Sequence, residues 1–290
     1  MVARVKAWIE VTKPRVVALI VFTALIGMLL SVPGAVPVGP LVWGTLGIWL
    51  AAASAAALNQ LIDRRTDAMM SRTAQRPLPT GAISTQEVLV LALVLGNASM
   101  LLLWQMVNPL TAVLTFCSLI GYAIVYTVWL KHATPQNIVI GGAAGAAPPL
   151  LGWAAVRNEV DAGALLLFLI IFTWTPPHFW ALAIHRRDDY AKVDVPMLPV
   201  THGVPFTHMH VVFYTILLVL VSLLPYLIGM SGPLYLIGAL SLGLVYLAHA
   251  VSLLKDDTMP MRAFGFSLIY LAGIFTFLLA DHYLVVIKHA

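Results

Sequence analysis

The chain has 290 residues, of which 61% are hydrophobic and only 10% charged, with a formal net charge of +4. An average soluble domain is about 45–50% apolar and about 25% charged, so these charges are too few to cover a soluble surface, and the hydrophobicity excludes disorder. The apolar residues form long continuous runs, not the ~10-residue alternating segments of a transmembrane β-barrel, which leaves an all-α polytopic membrane protein.

A spanning helix needs about 20 mainly apolar residues. Nine runs qualify, at 16–33, 41–61, 87–107, 110–130, 137–155, 163–184, 209–229, 233–254 and 264–287, within one transmembrane domain over residues 1–290. The first run follows Arg4, Lys6, Lys13 and Arg15, as a signal peptide would. It is long and lacks a good small-residue cleavage pattern, so it reads as a retained first span. In the fifth run, Gly141, Gly142 and Gly145 allow close helix approach, and Pro148 and Pro149 predict a break. A single cysteine, Cys117, excludes a disulfide within the chain and a cysteine-based metal site.

The basic residues set the orientation. With a cytoplasmic N-terminus, the inner segments hold Arg4, Lys6, Lys13, Arg15, Arg64, Arg65, Arg72, Arg76, Lys131, Arg186, Arg187, Lys192, Lys255 and Arg262. The outer segments hold only Arg157 and Lys288. The positive-inside rule then predicts N-terminus in and C-terminus out. It also explains the basic pI without nucleic acid. Two longer loops, 62–86 and 185–208, fall on the cytoplasmic side after spans two and six. Their four-helix offset suggests two parallel four-helix units plus one extra helix.

The stretch from Asn59 to Asp67 carries the most chemistry. Asn59, Asp63 and Asp67 are spaced i, i+4, i+8, which aligns them on one helix face with ~6 Å of rise between neighbours. Hard oxygen donors at this spacing suit Mg²⁺, which takes one or two carboxylates and completes its shell with phosphate oxygens and water. An acidic, solvated helix end is the plainer alternative. Arg72 and Arg76 follow directly, and arginine forks phosphate oxygens bidentately. Metal-ligating carboxylates beside arginines are what a diphosphate site requires. Arg64 and Arg65 read as topology charges. The second loop places Asp188, Asp189, Lys192 and Asp194 at the end of span six, so two acidic loops can flank one diphosphate.

These motifs bring out a family resemblance. The chain resembles the intramembrane aromatic prenyltransferase superfamily, whose signature Asn-x3-Asp-x3-Asp matches Asn59, Asp63 and Asp67. The other matching stretches are Thr12-Lys-Pro-Arg15, Asn137-Ile-Val-Ile-Gly-Gly with Ala143 to Pro149, Trp174-Thr-Pro-Pro-His178-Phe-Trp180, and Asp189-Tyr with Val195-Pro-Met-Leu-Pro-Val200. The Pro-Pro-His-Phe-Trp and Pro-Met-Leu-Pro stretches point to the haem-modifying branch. The second motif departs from the usual Asp-x3-Asp spacing, and Asp189 carries over best.

The resemblance implies a bacterial inner-membrane transferase of haem biosynthesis, with its active site facing the cytoplasm. It implies farnesyl diphosphate and protoheme IX as substrates and Mg²⁺ as cofactor. The allylic cation adds to a vinyl group and water captures the resulting cation. Asn59, Asp63, Asp67 and Asp189 are then the metal ligands, and Arg72, Arg76 and Lys131 the diphosphate ligands. Asp63, Asp67 and Lys131 are catalytic. It leaves open an association with other haem-pathway or terminal oxidase assembly proteins.

Other residues can be placed on that scheme. Lys131 ends span four, as a diphosphate ligand or as a snorkelling topology charge. Tyr122 and Tyr126 could face an allylic cation or simply pack. A histidine inside a span is a functional hypothesis by default. His178 is therefore expected to ligate haem iron or contact the porphyrin, against a structural histidine beside a proline break. Trp174 and Trp180 are porphyrin contacts or interfacial aromatics. Asn137 is a polar site contact or an N-cap. His202, His208, His210 and His249 read as structural.

A secondary transporter is the rival class, but transporters place ionisable groups near the bilayer midplane. Here only His178 and His249 are expected inside spans, and the polar clusters share one face. A purely structural membrane subunit leaves the paired acidic loops unexplained. Among enzymes, the alternative is a prenyltransferase for a quinone-precursor ring.

Overall fold

The computed structural model describes residues 2–255 and 259–289, and among them every regular element is a helix. The Lys288 side chain lies outside the described residues. Helix α1 (Val2–Val11) meets α2 (Pro14–Leu30) across a 42° bend. Lys13 makes the bend in the left-handed region, at φ 51°. Pro14 then opens α2, where its missing N–H costs nothing.

The long helices are α3 (Pro40–Met69), α4 (Thr85–Met106), α5 (Pro109–Ala133), the pair α6 (Asn137–Ala146) and α7 (Pro148–Arg157), α8 (Ala162–His185), α11 (Val204–Leu227), α12 (Pro233–Ser252) and α13 (Pro260–His289). Among the described residues, eight spans are long and apolar enough to cross a bilayer, or nine if the bent pair α1 and α2 counts as one. Short α9 (Arg187–Ala191) and α10 (Leu198–Thr201) lie in the second loop. The expected break at Pro148 separates α6 from α7.

One boundary moves. The second span was expected to end near residue 61, but α3 continues to Met69. No glycine or proline interrupts that stretch, and charged side chains at its end can be solvated. Asp63 and Asp67 therefore stay on the same rigid helix as Asn59.

Helix α3 packs on α2, α4 and α5, while α8, α11, α12 and α13 form a second group. Leu167, Ile170, Leu218, Tyr235, Tyr246, Tyr270 and Phe275 fill the core of that group, and Ile26 and Leu30 of α2 join the same cluster. Helix α13 also packs on α2. Between α2 and α7 the backbones nearly touch. A Cβ on Gly27 would sit 1.9 Å from the Pro149 carbonyl oxygen, and one on Gly152 1.9 Å from that of Ala24. Lipid tails give no hydrophobic drive to helix association, so such close packing holds the bundle. Leu19, Phe22, Leu93, Leu101, Phe213, Leu244 and Ile269 project outward, as lipid-facing residues must.

The sequence reading missed Asp281 and His282, adjacent ionisable groups within the last span. Asp281 of α13 is buried and accepts a hydrogen bond from the Gly232 N–H, which precedes α12. It thus caps the positive end of a neighbouring helix.

Candidate active site

The face of α3 predicted from i, i+4 spacing is real and buried. Asn59, Asp63 and Asp67 are each 4–6% exposed. The Asn59 Nδ2 donates to Asp63 Oδ2 at 2.9 Å and to Thr127 Oγ1 at 3.3 Å. Cations from three other segments close on this face. Lys131, near the end of α5, lies 2.7 Å from Asp63 Oδ1. Arg76 of the following loop lies 2.6 Å from Asp67 Oδ2. Thr73 donates to the Asp67 carbonyl at 2.8 Å and folds that loop back over the helix end.

The third cation is Lys13, whose Nζ donates to Asn59 Oδ1. Sequence reasoning treated it as a topology charge and missed this contact. Its aim depends on Gln60, the neighbour of Asn59. The Gln60 Nε2 donates to the Glu10 and Val11 carbonyls at 3.3 and 3.0 Å. That fixes the end of α1 and hence the turn carrying Lys13. The clue in the sequence was a lysine wedged between a short helix and Pro14. Two carboxylates and three cations leave the cluster with one net positive charge.

The two long loops meet. Met70, just after α3, shares a hydrophobic cluster with Val193, Val195 and Met197. Arg72 is exposed and acts on Tyr190. Burial pushes the Tyr190 phenol above its usual range, while Arg72 and Arg186 pull it back. Asp189 lies 3.6 Å from Arg186 and 3.8 Å from Lys192. Among the described residues, no three His, Cys, Asp or Glu side chains come together as a metal-binding group, so Asp189 does not join Asp63 and Asp67 in one cluster. The α3 face still fits Mg²⁺. It offers two hard carboxylates one helical turn apart and leaves the rest of the shell to substrate oxygens and water.

Below the charged cluster opens a cavity of about 340 Å³. Lys13 lines it, with Tyr122 and Tyr126 from α5, Ala51, Ala55 and Ile48 from α3, and Gly142, Leu151 and Trp174 farther round. From Asn59 to Ile48 along α3 is about 16 Å by helix rise. Tyr122 and Tyr126 stack at 5.7 Å, on a π-helical segment over Gly121–Leu130. Such segments recur at functional sites. Gly141 permits this, because a Cβ there would lie 2.1 Å from the Tyr126 ring.

The expected porphyrin residues divide. Trp174 lines the cavity and stacks on His178 at 4.2 Å. His178 is 7% exposed, and Phe264 covers its other face at 4.4 Å. Trp180 lies on another wall. It is fully buried against His210 and Tyr214, because two residues along a helix is a rotation of about 200°. Asn137 is also fully buried, and it is not the N-cap, since Gln136 precedes it at that position. Its Nδ2 donates to the Lys131 carbonyl at 3.2 Å, which steadies the segment holding Lys131.

An apolar cavity under a buried cluster of carboxylates and cations, inside a bundle of helices long enough to span a membrane, is what this fold builds. The profile of the UbiA prenyltransferase family matches residues 20–280, and the chain belongs to that family. It is 58% identical to the protoheme IX farnesyltransferase of Methylococcus capsulatus, over 97% of this chain and 95% of that one. It is 59% identical to the enzyme of the same name from Shewanella denitrificans, over 96% and 93%. A solved structure described as a digeranylgeranylglyceryl phosphate synthase shares the fold, with a TM-score of 0.83 and 18% identity over 97% of this chain and 99% of that one. A UbiA homologue from Archaeoglobus fulgidus, bound to DMAPP and Mg²⁺, aligns with a TM-score of 0.63 and 16% identity over 93% and 98%.

Proposed function

We propose that this chain transfers the farnesyl group of farnesyl diphosphate to a vinyl group of protoheme IX, with addition of water, giving haem O and diphosphate. One observation carries the reading: the Asn59, Asp63 and Asp67 face, ringed by Lys13, Arg76 and Lys131, stands at the head of an apolar cavity. The names of the relatives supply the acceptor. Asn59, Asp63 and Asp67 would hold Mg²⁺, which when bound adds positive charge against the diphosphate oxygens. Asp189, apart from that cluster in the second loop, is proposed to hold a second metal ion on the same diphosphate.

The remaining chemistry falls to the chain's own residues. Lys131, Arg76 and Lys13 exchange their carboxylate and amide partners for diphosphate oxygens when substrate enters, and Arg72 joins them from the loop. The C–O bond then breaks, and its electron pair leaves with the diphosphate. Tyr122 and Tyr126 present ring faces to the allylic cation. The vinyl π electrons form the new carbon–carbon bond, water adds to the porphyrin-side cation, and one proton leaves. The cavity walls exclude water from the first cation. His178 and Trp174 contact the porphyrin. The loops carrying these groups face the cytoplasm of a bacterial inner membrane.

The test is a choice of acceptor. Purified protein receives farnesyl diphosphate, Mg²⁺ and either protoheme or 4-hydroxybenzoate. Diphosphate release that depends on protoheme is expected. Release that depends on 4-hydroxybenzoate would assign the chain to quinone-precursor chemistry.

A further inference from the structure

Ser267 of α13 meets α8 at two points on either side of its prolines. Pro176 and Pro177 cannot donate backbone hydrogen bonds, so the Phe172 and Thr173 carbonyls lose their helical donors and α8 is weakened there. Before the break, the Trp174 Nε1 donates to the Ser267 carbonyl at 2.8 Å. After it, the His178 Nδ1 lies 2.6 Å from the Ser267 Oγ. The same Oγ lies 2.6 Å from the Phe264 carbonyl oxygen.

These two short contacts fix the proton positions. A carbonyl oxygen only accepts, so the single Ser267 hydroxyl proton points to Phe264. Otherwise two lone-pair oxygens would face each other at 2.6 Å. The Ser267 oxygen must then accept from His178, and Nδ1 carries the imidazole proton. In a neutral imidazole that leaves the lone pair on Nε2. The Nε2 has no hydrogen-bond partner among the described residues. Trp174 and Phe264 cover the two ring faces, so the ring plane is fixed as well.

We infer that Ser267 is a positioning residue that locks His178 in the Nδ1–H tautomer and so leaves the Nε2 lone pair available to ligate the iron of the porphyrin substrate. The assignment of a ligand rests on the proposed haem reaction. The tautomer does not. A histidine bound to a metal commonly donates its other N–H to a fixed acceptor, and losing that acceptor typically costs about 10–100-fold in affinity.

The two parts are tested separately on the full chain in detergent. With ¹⁵N-labelled histidine, the His178 signals are assigned by their loss in His178→Gln. Wild type should show a protonated Nδ1 and an unprotonated Nε2. Ser267→Ala should shift the pair toward the opposite tautomer, and Ser267→Thr should restore it. A protonated Nε2 in wild type, or a Ser267→Ala spectrum identical to wild type, would overturn the inference. Protoheme titration of the Soret band then reads the ligand. Ser267→Ala should bind roughly tenfold more weakly, Ser267→Thr near normally, and His178→Ala should lose the ligation band. Unchanged haem binding in His178→Ala, beside the expected nitrogen shifts, would overturn the haem role and leave the tautomer lock standing.

Discussion

Lys131 Nζ and Asp63 Oδ1 lie 2.7 Å apart, joining helices α5 and α3 at the head of the cavity. Asp63 is 6% exposed, and its other oxygen is held by Asn59. Deleting one partner of such a pair leaves a buried charge without compensation, at a cost of about 3–5 kcal/mol. Lys131→Met should therefore lower the thermal midpoint clearly. Lys131→Met with Asp63→Asn should recover most of that stability while activity stays lost. If Lys131→Met melts like wild type, the pair is not the buried contact described.

Asp63 and Asp67 are proposed to hold Mg²⁺. Asp63→Ala and Asp67→Ala should each reduce turnover by at least about a hundredfold, the scale of losing a transition-state electrostatic group. Chelation should abolish wild-type turnover, and added Mg²⁺ should restore it. Near-normal turnover in both variants at wild-type expression would remove the metal assignment.

Lys13 holds Asn59 through its side-chain oxygen. Lys13→Ala should raise the KM for farnesyl diphosphate, with little change in the KM for protoheme. Gln60→Leu should reproduce part of that effect, because Gln60 fixes the bend carrying Lys13. Steady-state kinetics on both substrates checks this, and a defect confined to protoheme would contradict it.

The inner-side charge excess predicts cytoplasmic loops. In a Cys117→Ala background, single cysteines at Thr80 and Thr201 should react only with reagents reaching the cytoplasmic face. Labelling of either from outside would reverse the topology.

Much of this was legible in the sequence because it is local. Apolar run length gives the spans, i, i+4 spacing gives the Asn59–Asp67 face, and paired prolines give the break before α7. What stayed hidden depends on distant partners. Lys13 and Asn59 are 46 residues apart, and His178 and Ser267 are 89 apart. No periodicity in either segment announces those contacts. Trp180 looked like a companion of His178 from its motif, but helix rotation carries it to another wall. Asp281 was hidden because its partner is a backbone N–H just before a different helix.

The central claim is that one farnesyl group and one water join a haem vinyl in the cavity headed by Asn59, Asp63 and Asp67. Turnover of protoheme and farnesyl diphosphate in ¹⁸O-labelled water tests it most directly, read by mass spectrometry of the extracted porphyrin. The product should gain one farnesyl group and one heavy oxygen, and neither gain should occur with the Asp67→Ala protein. Farnesyl transfer without heavy oxygen, or unmodified haem beside consumed farnesyl diphosphate, would contradict the account.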